Sequence, residues 1–252
     1  MRGEILDGLE RGEFHILYQP QMTADGARMA AVEALVRWNS RTRGMVGPSD
    51  FIARAEKDGV IKELGAFVLR QACQDAVGWP QLVVSVNVSG LQIQEPDFAP
   101  FVEQALQDFR LPAARLELEI VESALVENFD LAEEVLTRLR RLGVKIALDD
   151  FGTGYSSLTY LRKFPLDKLK IDRSFVQEAD KVTSASIIQG VVAIARALGL
   201  KITAEGVETE AQRTFLRVCG CHYLQGYLFS KPVPALSISQ MLAAGQTERR
   251  VG

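Results

Sequence analysis

The apolar residues of this chain follow two different spacings, which alternate along its length. Short aliphatic and β-branched runs, such as Val144–Leu148, favour buried strands, and longer stretches with apolar residues three or four positions apart favour amphipathic helices. The pattern predicts strands over Phe14–Gln19, Arg28–Arg37, Leu82–Val88, Arg115–Val121, Lys145–Asp149, Lys168–Ile171, Lys201–Glu205 and Tyr223–Gln225. It predicts helices over Ser49–Asp58, Ile61–Val77, Asp97–Phe109, Phe129–Leu142, Ser184–Leu198, Glu208–Cys219 and Ser237–Ala243.

Eight strands that alternate with helices over 252 residues predict an α/β protein with a (β/α)8 barrel. Only a turn containing Asp25-Gly26 separates the first two strands, and Asp-Gly between apolar runs is a hairpin signal. We therefore expect a TIM-like barrel with an antiparallel first strand. An open doubly wound sheet is the alternative, but no strand is followed by the Gly-x-Gly-x-x-Gly loop that would support it.

The chain is expected to form a single domain over residues 1–252, with a core at about residues 10–245 and loose flanks at 1–3 and 248–252. Its hydrophobic content of 47% and charged content of 24% are ordinary for a soluble protein with a core. The formal net charge of −3 argues against a DNA or RNA polymer as partner, although a short nucleotide stays possible.

Compartment and membrane association follow from what the sequence contains. Three cysteines are an odd number without a disulfide framework, which indicates a reducing, cytoplasmic environment. No signal peptide or bilayer-length apolar stretch is present, so we expect no membrane insertion by this segment. Tethering to the inner membrane through other domains stays open.

The most unusual local feature is Asp149-Asp150, which follows an apolar run and precedes the glycine-containing segment 151–155. Adjacent carboxylates repel, and burying them requires a counter-charge, usually a divalent metal. Working residues of such barrels lie at the C-terminal ends of the strands. The predicted ends carry Arg37, Asn87, Glu119, Asp149 with Asp150, Lys170, Glu205 and Gln225, and Glu33 lies slightly earlier in its strand.

Oxygen ligands from Glu, Asp and Asn suit hard cations such as Mg²⁺, Mn²⁺ or Ca²⁺. The chain has two histidines, which makes a zinc site built from imidazoles unfavourable. The strand ends therefore predict a site for a hard divalent cation.

Each of these residues also has an ordinary structural explanation. Lys170 could form a salt bridge at the barrel rim, and Glu205 and Glu208 could form surface ion pairs. Glu117 and Glu119 lie two positions apart, and we expect one to face inward and the other to face the helices, without the spacing selecting which. A Schiff base at Lys170 is a further alternative, although surrounding carboxylates would raise the lysine pKa and disfavour it.

Seven further segments accompany Glu33-Ala34-Leu35-Val36-Arg37-Trp38 and cover nearly the whole chain in order. They are Tyr18-Gln19-Pro20, Ser85-Val86-Asn87-Val88-Ser89, Leu116–Glu122, Asp149–Leu158, Leu169-Lys170-Ile171-Asp172, Ala204-Glu205-Gly206-Val207-Glu208 and Gln225-Gly226-Tyr227. Together these segments resemble the EAL domain family, whose name matches Glu33-Ala34-Leu35.

The resemblance implies a barrel with an antiparallel first strand and hydrolysis of cyclic di-GMP to linear pGpG. It implies two metal ions, Mg²⁺ or Mn²⁺, with Ca²⁺ inhibitory. The implied metal ligands are Glu33, Asn87, Glu119, Asp149, Asp150 and Glu205, with Asp149 bridging the two ions.

The remaining implied roles concern water, substrate and the loop after the fifth predicted strand. Glu205 is a metal ligand or general base, Lys170 orients the attacking water, and Gln225 supports that water and the substrate. Gln19, Leu35 and Arg37 contact the substrate, Arg37 at a phosphate. Glu122 anchors the loop Phe151–Ser157, and Asp172 and Glu208 support the site from behind the ligands.

Two departures from the family pattern bear on detail. Asn39–Arg43 replaces a His-Pro-like segment, which affects the substrate loop, and Val121 replaces a more common threonine. The resemblance further implies a homodimer formed near loop Phe151–Ser157 and fusion to sensory or GGDEF domains in a larger bacterial signalling protein. A non-catalytic receptor for cyclic di-GMP is the alternative function.

Overall fold

An antiparallel hairpin begins the sheet. The structure, a computed structural model, describes residues 2–121, 128–152, 161 and 163–251, with only the backbone described for 245–251. β1 (Phe14–Thr23) pairs with β2 (Met29–Ser40) in a register that starts with Phe14 beside Trp38. The connection contains Asp25-Gly26, and Asp25 Oδ1 accepts hydrogen bonds from Thr23 and Ala27. The hairpin prediction is confirmed.

Eight of the described strands close into a barrel in the order β1-β2-β4-β5-β6-β7-β8-β9. The later strands are β3 (Gly44–Val46), β4 (Val83–Val88), β5 (Leu116–Val121), β6 (Lys145–Phe151), β7 (Lys168–Ile171), β8 (Lys201–Ala204) and β9 (Tyr223–Gln225). β1 is antiparallel to both β2 and β9, whereas the other neighbouring barrel strands are parallel. The predicted barrel with an antiparallel first strand is therefore confirmed.

Helices surround the barrel and bury its outer face. They are α1 (Arg2–Glu10), α2 (Pro48–Lys57), α3 (Ile61–Ala76), α4 (Gly90–Ile93), α5 (Phe98–Phe109), α6 (Phe129–Leu142), α7 (Arg173–Gln177), α8 (Val182–Ala197), α9 (Glu210–Cys219) and α10 (Ala235–Val251). Outward-facing strand residues such as Leu118 and Ile146 join helix residues such as Val102 and Leu136 in one buried apolar cluster. This cluster makes the strands a rigid support for the polar side chains within.

Several short elements were not predicted. Residues 2 and 3 of the expected N-terminal flank begin α1, in which Ile5 is buried, and residues 248–251 of the expected C-terminal flank continue α10. The segment Asn39–Arg43 turns β2 into β3, a three-residue strand. α4 and α7 span four and five residues, which is little more than one helical turn and far short of the window of about 11–18 residues in which helical periodicity is recognised.

A smaller apolar cluster lies beside the end of β2. Trp38 stacks on Phe14 with ring centroids 5.1 Å apart, and both rings meet Phe51 edge-on. The indole Nε1–H of Trp38 donates to Glu13 Oε2 at 3.1 Å. Because Trp38 is fixed on three sides, the strand end that carries Arg37 is held in place.

Polar side chains fill the inside of the barrel. Barrels of this kind usually contain branched apolar side chains, but here Ser85, Glu117, Glu119, Lys168 and Lys170 are all buried. Glu117 and Glu119 both face inward, so the expectation that they face opposite ways was wrong. Residues two positions apart on a strand share a face, and the alternation that separates faces acts on direct neighbours.

Glycines follow two of the predicted site residues where the backbone is crowded. A Cβ on Gly226, after Gln225, would lie 2.1 Å from the carbonyl oxygen of Val207. Gly206, after Glu205, has φ +68°, and a Cβ there would lie 2.5 Å from Cβ of Arg173. Both positions require glycine for the close approach, which fixes how the preceding side chain enters the barrel.

Gly226→Ala tests this packing. We expect the free energy of unfolding to fall by about 1–3 kcal/mol, because the added methyl group meets backbone atoms that cannot move independently. Urea unfolding followed by circular dichroism measures the loss. Gly190→Ala is the matched control: Gly190 is exposed within α8 with nothing within 4 Å of its Cβ position, so this change should raise stability by up to about 1 kcal/mol. Equal effects of the two substitutions would contradict the account.

Candidate active site

Carboxylates from three strands and from the residue that follows β8 converge on the ammonium group of Lys170, which is fully buried. Its Nζ lies 2.5 Å from Glu119 Oε2 and 2.6 Å from Glu205 Oε1. It lies 3.0 Å from Asp149 Oδ2 and 3.9 Å from Glu33 Oε2. Lys170 is therefore an interior cation rather than a rim salt bridge, and Glu205 pairs with it rather than on the surface.

The charge of Lys170 is strongly favoured. Burial by itself lowers the lysine pKa, but Asp149, Glu119, Glu205 and Glu33 outweigh burial and hold the pKa well above its ordinary value. A Schiff base requires an unprotonated amine. The environment therefore disfavours the lyase alternative and fits a lysine that orients other groups through its protons.

Two side-chain amides hold Glu33. Gln225 Nε2 donates to Glu33 Oε2 at 2.6 Å, and Asn87 Nδ2 donates to Glu33 Oε1 at 2.7 Å. The Gln225 amide also donates to Gln19 Oε1 at 3.1 Å. Burial raises the pKa of Glu33, but Lys170 and the two amide hydrogen bonds outweigh it and leave the pKa below its usual value. Glu33 is therefore a preoriented, ionised carboxylate.

The pKa values of Glu119 and Glu205 are shifted upward, in the opposite direction to the pKa of Glu33. Burial raises the pKa of Glu205 to about 8, against the opposing effect of Lys170. Burial also raises the pKa of Glu119 well above its ordinary value; Lys170 opposes this, and Glu33 and Asp149 add to it. These carboxylates therefore lack sufficient positive charge from the protein alone.

A bulge separates the two aspartates. β6 and β7 lose register between Leu148 and Phe151, and Asp150 has φ +53°, a conformation that side-chain-bearing residues seldom adopt. Asp149 is buried beside Lys170, whereas Asp150 is exposed. Partial burial, Asp149 and Asp172 raise the pKa of Asp150. The bulge places two residues, Asp149 and Asp150, opposite the single residue Lys170 of β7, and the two carboxylates differ in exposure.

A cleft of about 430 Å³ opens beside the carboxylates. Leu35, Arg37, Asn87, Glu119 and Val121 are among the residues that line it. Arg37 is half-buried, its Nη1 donates to the carbonyl oxygen of Val36 at 2.9 Å, and burial lowers its pKa. The cleft therefore has the guanidinium of Arg37 and an apolar wall beside the acidic cluster. Val121 is part of that apolar wall.

The remaining predicted residues form no ion pair with Lys170 among the described residues, or lie outside the described part. Asp172 caps α7 by accepting a hydrogen bond from Ser174 N at 3.0 Å. Glu208 is exposed, and its backbone N–H donates to Gln212 Oε1. Glu122 lies outside the described residues, as does all of loop Phe151–Ser157 except Phe151 and Gly152.

Sequence reasoning assigned no role to four buried polar residues beneath the Lys170 cluster: Gln21, Ser85, Glu117 and Lys168. Each stands two positions before or after a predicted site residue on the same strand, since the pairs are Gln19 and Gln21, Ser85 and Asn87, Glu117 and Glu119, and Lys168 and Lys170. This spacing was the signal that could have found them.

The residues present fit a hard divalent cation. One ammonium faces four carboxylates around Lys170. If all four are ionised, three negative charges stay uncompensated. Gln225 Oε1 is buried without a hydrogen-bond partner among the described residues, and Glu205 Oε1 has the Lys170 ammonium as its neighbour at 2.6 Å. Within the same residues, no three Asp, Glu, His or Cys side chains are arranged so that they could already hold a metal ion; the carboxylates lie around the lysine ammonium instead.

Comparison with known proteins connects this geometry to a family. The family model described as EAL domain matches residues 2–232. The chain is 42% identical over 250 residues to cyclic di-GMP phosphodiesterase NbdA of Pseudomonas aeruginosa, covering 97% of this chain and 32% of that protein. It is 39% identical to cyclic di-GMP phosphodiesterase PdeR of Escherichia coli, covering 92% of this chain and 36% of that protein. The chain thus spans about a third of the length of these curated relatives.

A solved structure described as the PaMucR phosphodiesterase in complex with c-di-GMP superimposes with a TM-score of 0.89 at 40% identity. The match covers 94% of this chain and 98% of that one. In the described part of the chain, no helix has the length and apolar character needed to cross a membrane. From its sequence match and its barrel, the chain belongs to the EAL domain family.

Proposed function

We propose that this chain is a metal-dependent phosphodiesterase that hydrolyses cyclic di-GMP to linear pGpG. The observation that carries the proposal is the set of four carboxylates around Lys170, next to a cleft that presents Arg37. A cyclic dinucleotide brings two anionic phosphodiesters, and their hydrolysis requires compensation of charge and an activated water. The names of the relatives support this substrate.

The proposed cofactors are two divalent cations, Mg²⁺ or Mn²⁺, with Ca²⁺ expected to inhibit. Such cations would supply a Lewis acid and lower the pKa of a bound water. The proposed ligands are Glu33, Asn87, Glu119, Asp149, Asp150 and Glu205. Including Asp150, the cluster would hold four negative charges beyond the charge of Lys170, and two divalent cations would balance these.

The protein's own groups have separate proposed roles. Lys170 stays protonated and directs its N–H groups at a water and at the carboxylates. Glu205 is a candidate general base or metal ligand, since its carboxylate lies within the cluster, 2.6 Å from Lys170 Nζ. Gln225 fixes Glu33 and lies beside Gln19, which places both amides at the substrate side of the cluster. Arg37 suits a phosphate because a guanidinium can donate two parallel hydrogen bonds.

We also propose that this chain is one domain of a larger signalling protein. Fusion to sensory or GGDEF domains is consistent with relatives about three times longer than this chain. One relative, MucR of P. aeruginosa, carries the name bifunctional diguanylate cyclase/cyclic di-GMP phosphodiesterase. A cytoplasmic location and a homodimer near loop Phe151–Ser157 stay predictions, and most of that loop lies outside the described residues.

Incubation with cyclic di-GMP and Mg²⁺ or Mn²⁺, followed by chromatographic separation of nucleotides, tests the activity. The wild-type chain should produce pGpG, and Asp149→Asn should lower kcat at least about 100-fold, because the amide cannot supply the charge that holds a bridging cation. Glu134→Gln, on the exposed surface of α6, should leave kcat unchanged. Binding without turnover by the folded wild-type chain, with every metal, would refute the proposal and favour the receptor alternative.

Lys170→Met tests the buried cation separately from turnover. Removing the ammonium leaves the surrounding carboxylates without their protein counter-charge, which should lower the metal-free unfolding free energy by about 3–5 kcal/mol. Urea unfolding in the presence of EDTA measures it. Lys181→Met removes an exposed lysine paired with Glu178 at 2.7 Å and should leave the free energy of unfolding unchanged within measurement error. A loss no larger than that of the control would show that Lys170 does not hold the cluster together.

A further inference from the structure

A second polar layer lies in the barrel directly beneath the Lys170 cluster. Lys168 Nζ lies 2.6 Å from Glu117 Oε1, and Ser85 Oγ donates to the same oxygen at 2.8 Å. Lys168 also lies over the ring of Tyr223, 5.0 Å from its centroid. Lys168 is 5% exposed, Glu117 is 1% exposed and Ser85 is fully buried. The layer is therefore a satisfied interior ion pair that the phosphodiesterase proposal does not use.

Gln21 joins the two layers. Its Oε1 accepts from Lys168 Nζ, and its Nε2 donates to Glu119 Oε1, each at 3.4 Å. Both contacts are long for hydrogen bonds, but each has a charged partner, which strengthens it. The amide orientation is determined, because lysine can only donate and a carboxylate can only accept. If the amide were flipped, its NH2 group would face the Lys168 ammonium and its oxygen would face the Glu119 carboxylate, so neither contact would be a hydrogen bond.

Stability alone does not explain this arrangement. Apolar side chains normally fill barrels of this type, and replacing a buried ion pair by apolar side chains is often neutral or stabilising. The pair also forms part of the wall of a cavity of about 420 Å³ at the N-terminal mouth of the barrel. A charged layer in this position can hold side chains of the Lys170 cluster above it in one orientation.

We propose that Gln21, held by the Lys168–Glu117 pair, is a positioning residue that fixes the carboxylate of Glu119 for divalent metal binding. The hydrogen bond from Gln21 engages Glu119 Oε1, while Oε2 lies 2.5 Å from Lys170 Nζ, the ammonium that Asp149 and Glu205 also contact. Partners that orient a metal ligand commonly contribute 10–100-fold in metal affinity. The inference rests on the proposed function, because it takes Glu119 as a metal ligand.

Gln21→Met tests the role, because it keeps the length of the side chain and removes both amide contacts. Titration of the nucleotide-free protein with Mn²⁺, with free Mn²⁺ followed by electron paramagnetic resonance, should show about 10-fold weaker binding. In the turnover assay, the half-activating Mn²⁺ concentration should rise by a similar factor, while kcat at saturating Mn²⁺ stays within about threefold of wild type. A purely structural role would not produce this split.

Thr203→Val is the matched control. Thr203 is fully buried in the same barrel, beside Lys170 in the β7–β8 register, and its Oγ1 has no hydrogen-bond partner among the described residues. The substitution changes the interior without removing a hydrogen bond to Gln21 or Glu119, since Thr203 Oγ1 makes none among the described residues. Its Mn²⁺ affinity should equal that of the wild-type chain.

The double substitution Glu117→Leu with Lys168→Met provides a second route if Gln21→Met folds poorly. It removes the ion pair as a unit, so no buried charge is left without its partner, and Gln21 loses the group that holds its Oε1. Mn²⁺ binding should weaken at least about threefold, and adding Gln21→Met should weaken it less than Gln21→Met does alone. That non-additivity would show that the pair acts through Gln21.

The outcomes separate the two proposals. Wild-type affinity for Mn²⁺ in both Gln21→Met and the double variant would overturn the positioning role, whatever the turnover. A wild-type chain that binds Mn²⁺ without hydrolysing cyclic di-GMP would refute the phosphodiesterase proposal, while weaker binding by Gln21→Met would still support the positioning role. A wild-type chain that binds no Mn²⁺ would overturn both.

Discussion

The attraction between one buried ammonium and the carboxylates around it organises this molecule. Lys170 lies within 3.0 Å of three carboxylates that come from three different strands or strand ends. Such a group is stable in the interior only because its charges compensate one another in part. The compensation is incomplete, and this is why the cluster fits a divalent cation: the burial that raises the pKa of Glu119 and Glu205 also makes added positive charge favourable there.

Barrel closure makes this concentration of charge possible. Parallel strands bring their C-terminal ends to one mouth, and the two-residue period places Glu119 above Glu117 and Lys170 above Lys168 on the inner face. The antiparallel β1 contributes Gln19 and Gln21 to the upper and lower layers respectively. Glycines at 206 and 226 then allow the strand ends to approach closely enough for Glu205 and Gln225 to reach the cluster.

Much of this followed from the sequence. The Asp25-Gly26 turn predicted the antiparallel strand, and the polar strand ends predicted which side chains meet, because both features depend on local pattern and known strand geometry. The polar lower layer and Lys170 as the shared counter-charge were not predicted, since each depends on which strands become neighbours across a closed barrel. The bulge at Asp150 was also missed: its left-handed conformation depends on the register between β6 and β7, which residues 149–150 do not encode alone.

The central claim is that the carboxylates gathered on Lys170 form a binding site for divalent cations. Anomalous diffraction from crystals of the chain containing Mn²⁺ tests it most directly. The account predicts two manganese peaks within the cluster, with Asp149 as a ligand of both and with Glu33, Asn87 and Glu119 among the remaining ligands. Manganese peaks only at surface carboxylates, with all four carboxylates still gathered on Lys170, would contradict the account.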